Sequence, residues 1–219
     1  LSSFYRRDWE NAPEEILKFV KRRKFNLILF DAYGIGYNEH LNSITMPVVF
    51  EKKIINIGER FIDPNAETKI KYRSDSPLSK CVWGVFDGYY NIDPFFTEGI
   101  FDALRMREAG YNAYALLSNQ LSDAKLRFLN KHFKGTFTIV PDNDNGGSAM
   151  IEAWKRQLHN SDVMVAEVKN VKDVDEMEIG DIHKMVRSRK NLSSTLFKNR
   201  TLVDEVCDGI GDRYEDSTP

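Results

Sequence analysis

Residues 137–150, FTIVPDNDNGGSAM, combine a short apolar run with two carboxylates and two glycines. The run over 137–140 has the composition of a buried β-strand. Asp142 and Asp144 follow it directly, and the two glycines open a segment that favours a helix. A strand that ends in acids and leads into a helix is typical of a βαβ unit, which binds ligands at the carboxyl ends of its parallel strands.

The sequence around this stretch alternates between strand and helix patterns. Strand patterns cover residues 94–99, 111–117, 136–142 and 162–168. Helix patterns cover residues 100–110, 122–133, 146–158 and 176–189. Gly110 is the expected C-terminal cap of the first of these helices, and Ser122 marks the start of the second. This alternation predicts an α/β domain with a mostly parallel, Rossmann-like sheet flanked by helices.

The first part of the chain has a different pattern. A helix precedes a basic cluster at 21–24, whose cations suit the negative end of the helix dipole, so we leave them out of any site. Residues 46–61, MPVVFEKKIINIGERF, predict two strands joined in a hairpin. We therefore expect an α+β chain overall. A small mixed α/β basic subdomain covers 1–92, the α/β domain covers 93–180, and a C-terminal helix and tail or linker covers 181–219.

Composition sets broad limits on the class of protein. The 219 residues are 42% hydrophobic and carry a formal net charge of −2, which suits a globular protein with a core. The first 80 residues hold 14 basic and 11 acidic side chains, against 17 and 22 in the rest. A basic first part suits binding of a polyanion, and an acidic second part suits binding of metal ions. Ordinary surface variation would also produce this asymmetry. The two cysteines exclude a disulfide framework and favour a reducing cytoplasm, and no apolar run is long enough to span a membrane.

Acidic residues follow three of the predicted strands. A parallel sheet would bring them to one edge, and they are Glu98, Asp102, Asp142, Asp144, Asp173 and Asp175. Several carboxylates at close range repel one another unless a cation neutralises them. Mg²⁺ binds carboxylate oxygens, and a pair of such ions about 3.5–4 Å apart catalyses phosphoryl transfer. Each acidic pair is also common in turns or at helix starts, so the joint pattern carries the prediction.

The joint pattern resembles a known family. The segments FFTEGIFDALRMREAG, IVPDNDNGGSAMIEAW and VKDVDEM resemble the three motifs of the TOPRIM fold, and more narrowly those of bacterial and phage DnaG-type DNA primases. Upstream, Gly58-Glu59-Arg60, Lys71-Tyr72, Ser76-Pro77, Lys80 and Trp83-Gly84 resemble the basic region that precedes TOPRIM in those primases. The resemblance covers roughly residues 13 to 180. This sequence departs from the family in having Asn143 and the Gly146-Gly147 pair, and in lacking a Cys-rich zinc module and a helicase segment.

The resemblance implies the catalytic core of a primase, cut from a longer protein or working with parts supplied elsewhere. Such a core makes short RNA primers from ribonucleoside triphosphates on single-stranded DNA by metal-dependent nucleotidyl transfer. The catalytic residues, which also bind Mg²⁺ or Mn²⁺, would be Glu98, Asp142 and Asp144. Further metal ligands would be Asp102, Asp173 and Asp175. Contacts to nucleotide or template would come from Arg60, Lys71, Tyr72 and Lys80. A replicative helicase would bind through absent or C-terminal segments.

Two other classes of function remain open at this stage. A TOPRIM-type nuclease would use the same acids to cut DNA, with Glu98 as general base, and would degrade DNA with metal but without nucleotides. A non-catalytic nucleic-acid binding module would bind DNA without any dependence on a divalent metal.

Overall fold

The computed structural model of the protein describes most of the chain. The described residues are 5–63, 70–72, 81–85, 91–118, 121–157 and 163–192. They form two main sheets, one built from the first part of the chain and one from the second. Within these ranges, no helix has the length and apolar character needed to cross a bilayer.

The first part of the chain contains two helices and an antiparallel sheet. The helices are α1 (Glu14–Arg22) and α2 (Leu27–Ala32). The sheet has the order β1 (Gly36–Asn38), β2 (Ser43–Phe50), β3 (Lys53–Phe61) and β4 (Ile70–Tyr72). The predicted hairpin is confirmed, because Glu51 and Lys52 join β2 to β3 with φ angles of 48° and 59°. Two residues with positive φ match the twist of antiparallel strands.

The second part has the predicted α/β arrangement. Its elements in chain order are β5 (Asn91–Ile92), β6 (Phe95–Thr97), α3 (Ile100–Glu108), β7 (Ala113–Ala115), α4 (Asp123–His132), β8 (Phe133–Lys134), β9 (Phe137–Val140), α5 (Asn145–Gln157), β10 (Val163–Val165), α6 (Ile179–Arg187) and β11 (Lys190–Asn191). The main sheet has the order β11-β10-β9-β6-β7, in which only β11 is antiparallel to its neighbour. The short strands β5 and β8 pair separately. The predicted mostly parallel sheet flanked by helices is therefore confirmed.

Local signals explain where several helices begin and end. The Ser122 hydroxyl oxygen accepts a hydrogen bond from the Lys125 amide at 3.2 Å, which caps α4. Gly110 follows α3 with a φ of 89°, a conformation that glycine adopts without a steric penalty. The helix expected over 176–189 is α6, and a 3₁₀ turn at Val174–Glu176 precedes it. Strand β11 follows α6 and belongs to the main sheet. The division of the chain at residue 180 stays a prediction.

A shared apolar core fixes the two parts of the chain against each other. Phe25, which follows α1, stacks on Phe101 of α3 with ring centroids 5.2 Å apart. Tyr33, which follows α2, lies 5.3 Å from Trp83, whose backbone bridges to β7. Burial of these aromatic surfaces places the end of α1 beside the start of α3, at the edge where β6 ends.

Candidate active site

The strand register brings the predicted acids to one edge of the main sheet. Strand β6 lies between β7 and β9, with Thr97 opposite Val140, and β10 lies beside β9. Glu98 follows β6 directly, and Asp142 and Asp144 follow β9. The carboxyl ends of these parallel strands point the same way, so the acids of two distant segments meet.

Glu98 and Asp142 are two acids of this group whose pKa values are raised. Each side chain is partly buried and has one carboxylate oxygen, Glu98 Oε1 or Asp142 Oδ1, with no hydrogen-bond partner among the described residues. Burial, followed by the charges of Glu98 and Asp173, raises the pKa of Asp142 to about 7. Burial also raises the pKa of Glu98, and a hydrogen bond from the Asp142 backbone partly offsets the rise. A divalent cation would satisfy both carboxylates more fully than a proton does.

Asp144 is held in a different way. Its Oδ1 accepts hydrogen bonds from the amides of Gly146 at 2.7 Å and Gly147 at 3.2 Å, so it caps the start of α5. The hydrogen bond from Gly147 is the main reason that the pKa of Asp144 lies below its ordinary value. Asp144 is therefore ionised at neutral pH, whereas its neighbour Asp142 is partly protonated there.

Close approaches around these acids require a glycine at 147 and leave little room for a side chain at 146. A Cβ atom on Gly147 would lie 1.9 Å from the backbone oxygen of Asp142, a distance at which no side chain fits. A Cβ atom on Gly146 would lie 3.0 Å from Asp144 Oδ1 and 3.3 Å from Glu98 Oε2. The start of α5 therefore packs directly against the acidic site.

Asp102 and Asp175 form a deeper layer of the same site. Both residues are buried, and the Asp175 amide donates a hydrogen bond to Asp102 Oδ1 at 3.1 Å. Burial is the largest cause that raises the pKa of each, and the Asp142 charge is the next cause for Asp102. The structure therefore places both residues with the other predicted acids.

Asp173 and Asp175 meet a third acid that the sequence interpretation missed. Asp173, Asp175 and Glu176 each offer one carboxylate oxygen, and these three oxygens lie within 4.8 Å of one another. Glu176 is exposed and is the last residue of the Lys-Asp-x-Asp-Glu motif. The motif therefore contained the signal for this residue.

Arg60 brings a cation from the first sheet to the acidic edge. Its pKa is lowered, first by burial and then by the neighbouring Arg23, while Asp175 and Asp173 oppose the shift. Its buried Nε has no hydrogen-bond partner among the described residues. Of the other predicted nucleotide or template contacts, Lys71 and Tyr72 lie in β4, which pairs with β3. Their side chains, and all of Lys80, lie outside the described part.

Two further cations contact the acids. Lys172 Nζ lies 3.4 Å from Asp144 Oδ2 and 3.7 Å from Asp173 Oδ1, and Asp173 is the first cause that raises the pKa of Lys172. Arg23 Nη1 forms an ion pair with Asp175 Oδ2. The interpretation that left the basic cluster at 21–24 out of the site is wrong for Arg23. Lys172 stood in the motif, but no local pattern indicates that Arg23 faces a residue 152 positions away.

The chemistry of this group fits a divalent metal ion. Four buried carboxylate oxygens of this acidic group accept no hydrogen bond from a described residue, and they are Glu98 Oε1, Asp142 Oδ1, Asp173 Oδ1 and Asp175 Oδ1. Buried carboxylates are costly when unpaired, and oxygen-only donors suit hard cations such as Mg²⁺. The arrangement can therefore hold metal beside an arginine, which is the pair of features that phosphate transfer needs.

Comparison with known proteins gives a family match and a curated relative. A Toprim-like family profile matches residues 95–178, the segment that contains all the predicted acids. The DNA primase of Mycoplasma genitalium is 26% identical over 211 residues, which cover 89% of this chain and 35% of that protein. The chain thus spans about a third of the length of the curated relative it matches.

Solved structures of primase cores share the fold. The Aquifex aeolicus primase, with its zinc-binding and RNA polymerase domains, matches 92% of this chain and 62% of its own at a TM-score of 0.77 and 21% identity. A DNA primase domain from Pseudomonas aeruginosa covers 91% of this chain and 80% of its own, with a TM-score of 0.76 and 15% identity. A DnaG primase catalytic domain bound to single-stranded DNA covers 90% and 78%, with a TM-score of 0.72 and 13% identity.

Proposed function

We propose that this chain, whose fold matches the catalytic core of DnaG-type primases, is a template-directed RNA polymerase. It makes short RNA primers from ribonucleoside triphosphates on single-stranded DNA. The observation that carries the proposal is the meeting of Glu98, Asp142 and Asp173 with Arg60 at one sheet edge. A metal-binding edge beside a partly buried arginine suits the transfer of a nucleotidyl group from a triphosphate.

The residues that would hold Mg²⁺, with Mn²⁺ as an alternative, are those with a buried carboxylate oxygen that accepts no hydrogen bond from a described residue. Glu98 Oε1 and Asp142 Oδ1 are the first pair, and Asp173 Oδ1 and Asp175 Oδ1 are the second. When bound, the metal supplies charge neutralisation for the triphosphate and lowers the pKa of the attacking 3′-hydroxyl.

The chain's own residues then have distinct tasks. Asp144 supplies a fixed negative charge, because backbone amides hold its Oδ1 and keep its pKa low. Asp142 and Glu98 would hold the metal as carboxylates, and each would hold a proton more readily without metal, because burial raises the pKa of both. Arg60 would bind a phosphate of the nucleotide or template through its guanidinium, which lies near Asp173 and Asp175. Lys71, Tyr72 and Lys80 would contact nucleotide or template.

The similar primase domain bound to single-stranded DNA supports a DNA template for this chain as well. The activity would place the protein with replicating DNA in the cytoplasm, where a replicative helicase supplies the single strand. The basic subdomain over 1–92 and the TOPRIM domain over 93–180 would form the two walls of the template cleft.

Extension of a short RNA annealed to single-stranded DNA tests the proposal. The assay uses labelled ribonucleotides with Mg²⁺ or Mn²⁺, and the annealed RNA makes it independent of primer initiation. We expect incorporation by the wild-type protein and none by Asp142→Asn, whereas Glu10→Gln, at an exposed acid, should retain it. Metal-dependent shortening of the strand without nucleotides would establish a nuclease instead. DNA binding that is independent of metal, with neither reaction, would establish a binding module.

A further inference from the structure

Arg23 joins the first part of the chain to the acidic site. It follows α1 directly, and its Nη1 forms an ion pair with Asp175 Oδ2. The side chains of the pair are 19% and 4% exposed, so this is a largely buried contact rather than a surface ion pair. The guanidinium also lies 5.5 Å from the centre of the Phe19 ring.

Arg105 of α3 closes a ring of contacts around this pair. Its Nη2 donates to the backbone oxygen of Arg23, and its Nε and Nη2 lie 3.4 and 3.3 Å from the backbone oxygen of Asp175. Its guanidinium lies 4.7 Å from the centre of the Phe25 ring and is buried. The backbone that carries Arg23 is therefore fixed to the residue that its side chain binds.

Asp175 is consequently held at three points. Arg23 binds Oδ2, Arg105 binds the backbone oxygen, and Asp102 accepts from the backbone amide at 3.1 Å. The remaining oxygen, Oδ1, is buried and has no hydrogen-bond partner in the part of the chain that the structure describes. One carboxylate oxygen of Asp175 lies within 4.8 Å of an oxygen of Asp173 and of Glu176.

We propose that Arg23 is a positioning residue, which holds one oxygen of Asp175 so that the other is oriented for a divalent cation. The proposal rests on the proposed function, because it assumes that Asp173 and Asp175 bind the catalytic metal. Arg23 does not touch metal or nucleotide. It acts through Asp175, and it makes the geometry of the metal site depend on how α1 packs against α3.

A purely electrostatic role and a positioning role for Arg23 predict opposite changes in metal affinity when the arginine is removed. Removal of a positive charge beside an acidic cluster should tighten the binding of a cation. A group that orients a metal ligand should weaken binding when it is lost, typically by about 10- to 100-fold. The direction of the change in affinity therefore separates a positioning role from a simple screening role.

The experiment measures Mn²⁺ binding to the whole chain by electron paramagnetic resonance, without nucleotide or template. Arg23→Met should bind Mn²⁺ about tenfold or more weakly than wild type. Arg22→Met is the matched control, because Arg22 lies over the same Phe19 ring at 5.6 Å but has no ion pair with the acids among the described contacts. Its affinity should be unchanged or slightly higher. Equal or tighter binding by Arg23→Met would overturn the proposal.

Arg23→Lys keeps the inference testable if the methionine variant fails to fold. Lysine retains the charge but lacks the rigid planar fork of arginine, so it should restore part of the affinity that methionine loses. Full wild-type affinity in Arg23→Lys would show that charge alone matters and would count against positioning. Unfolding in urea, measured without metal, identifies any variant whose fold is lost.

Failure of this inference and failure of the proposed function give different results. Metal affinity is measured without nucleotides, so it tests Arg23 even if the wild-type chain extends no primer. If the wild-type chain does extend primers, Arg23→Met should require more metal for half-maximal rate than Arg22→Met. Equal metal requirements in the two variants would also reject the positioning role.

Discussion

Replacement of Asp142 by asparagine should stabilise the metal-free fold while it abolishes catalysis. The pKa of Asp142 rises from 3.8 to about 7, mainly through burial and the charge of Glu98. A shift of about 3 pH units corresponds to roughly 4 kcal/mol of destabilisation when the carboxylate is ionised. Asp142 is only partly buried, so solvent screening reduces the expected gain in Asp142→Asn to about 2–3 kcal/mol.

The sign of the effect depends on pH. A carboxyl whose pKa is raised by folding costs nothing at pH below its unfolded pKa. The cost grows as pH rises from the unfolded pKa to the folded pKa, and it is constant above that. The wild-type protein should therefore lose stability between about pH 4 and pH 7 relative to Asp142→Asn. The protons of Glu98 and Asp142 are shared, so the transition belongs to the acidic cluster as a whole.

Urea unfolding in a chelator at pH 4 and pH 8 measures this difference. We expect the free energies of unfolding of the two proteins to agree at pH 4 and to differ at pH 8. Addition of Mg²⁺ at pH 8 should stabilise the wild type more than the variant, because a bound cation replaces the repulsion with attraction. Glu10→Gln should behave as wild type throughout. An Asp142→Asn variant that is no more stable than wild type at pH 8 would refute the argument from repulsion.

Three further predictions concern other residues. Lys125 is fully buried and donates a hydrogen bond to the Leu116 carbonyl, and burial lowers its pKa to about 8. Lys125→Met should therefore stabilise the fold at pH 7 by about 1–2 kcal/mol. The wild type should recover this difference as pH rises from 8 to 10.5, and equal slopes of stability against pH in the two proteins would contradict the assignment. Gly147→Ala should cost about 2–3 kcal/mol in urea unfolding and abolish primer extension, whereas Gly180→Ala, whose Cβ would meet nothing within 4 Å, should be neutral or stabilising. Arg60→Met should weaken single-stranded DNA binding and lower the slope of log affinity against log salt by about 1, and an unchanged slope would show that Arg60 contacts no phosphate.

Much of the fold follows from local patterns along the chain. The hairpin over 46–61, the cap at Ser122 and the βαβ alternation each depend on residues close in sequence, and the structure confirms them. The same patterns indicate that acids after β6 and β9 lie at one edge, because parallel strands end on the same side. The third motif adds Asp173 and Asp175, which lie in the segment that follows β10.

The roles of those acids depend on contacts between distant segments, which no local pattern contains. Asp142 and Asp144 lie two positions apart, yet burial raises the pKa of one and backbone amides lower the pKa of the other. Arg23 has the sequence context of an ordinary helix end, but the packing of Phe25 on Phe101 brings it to Asp175. The types of side chain and their order along the chain were thus sufficient to identify the acidic edge. Burial and distance in the folded chain decide the rest. They determine that the pKa of Asp142 is raised, that backbone amides hold Asp144, and that Arg23 pairs with Asp175.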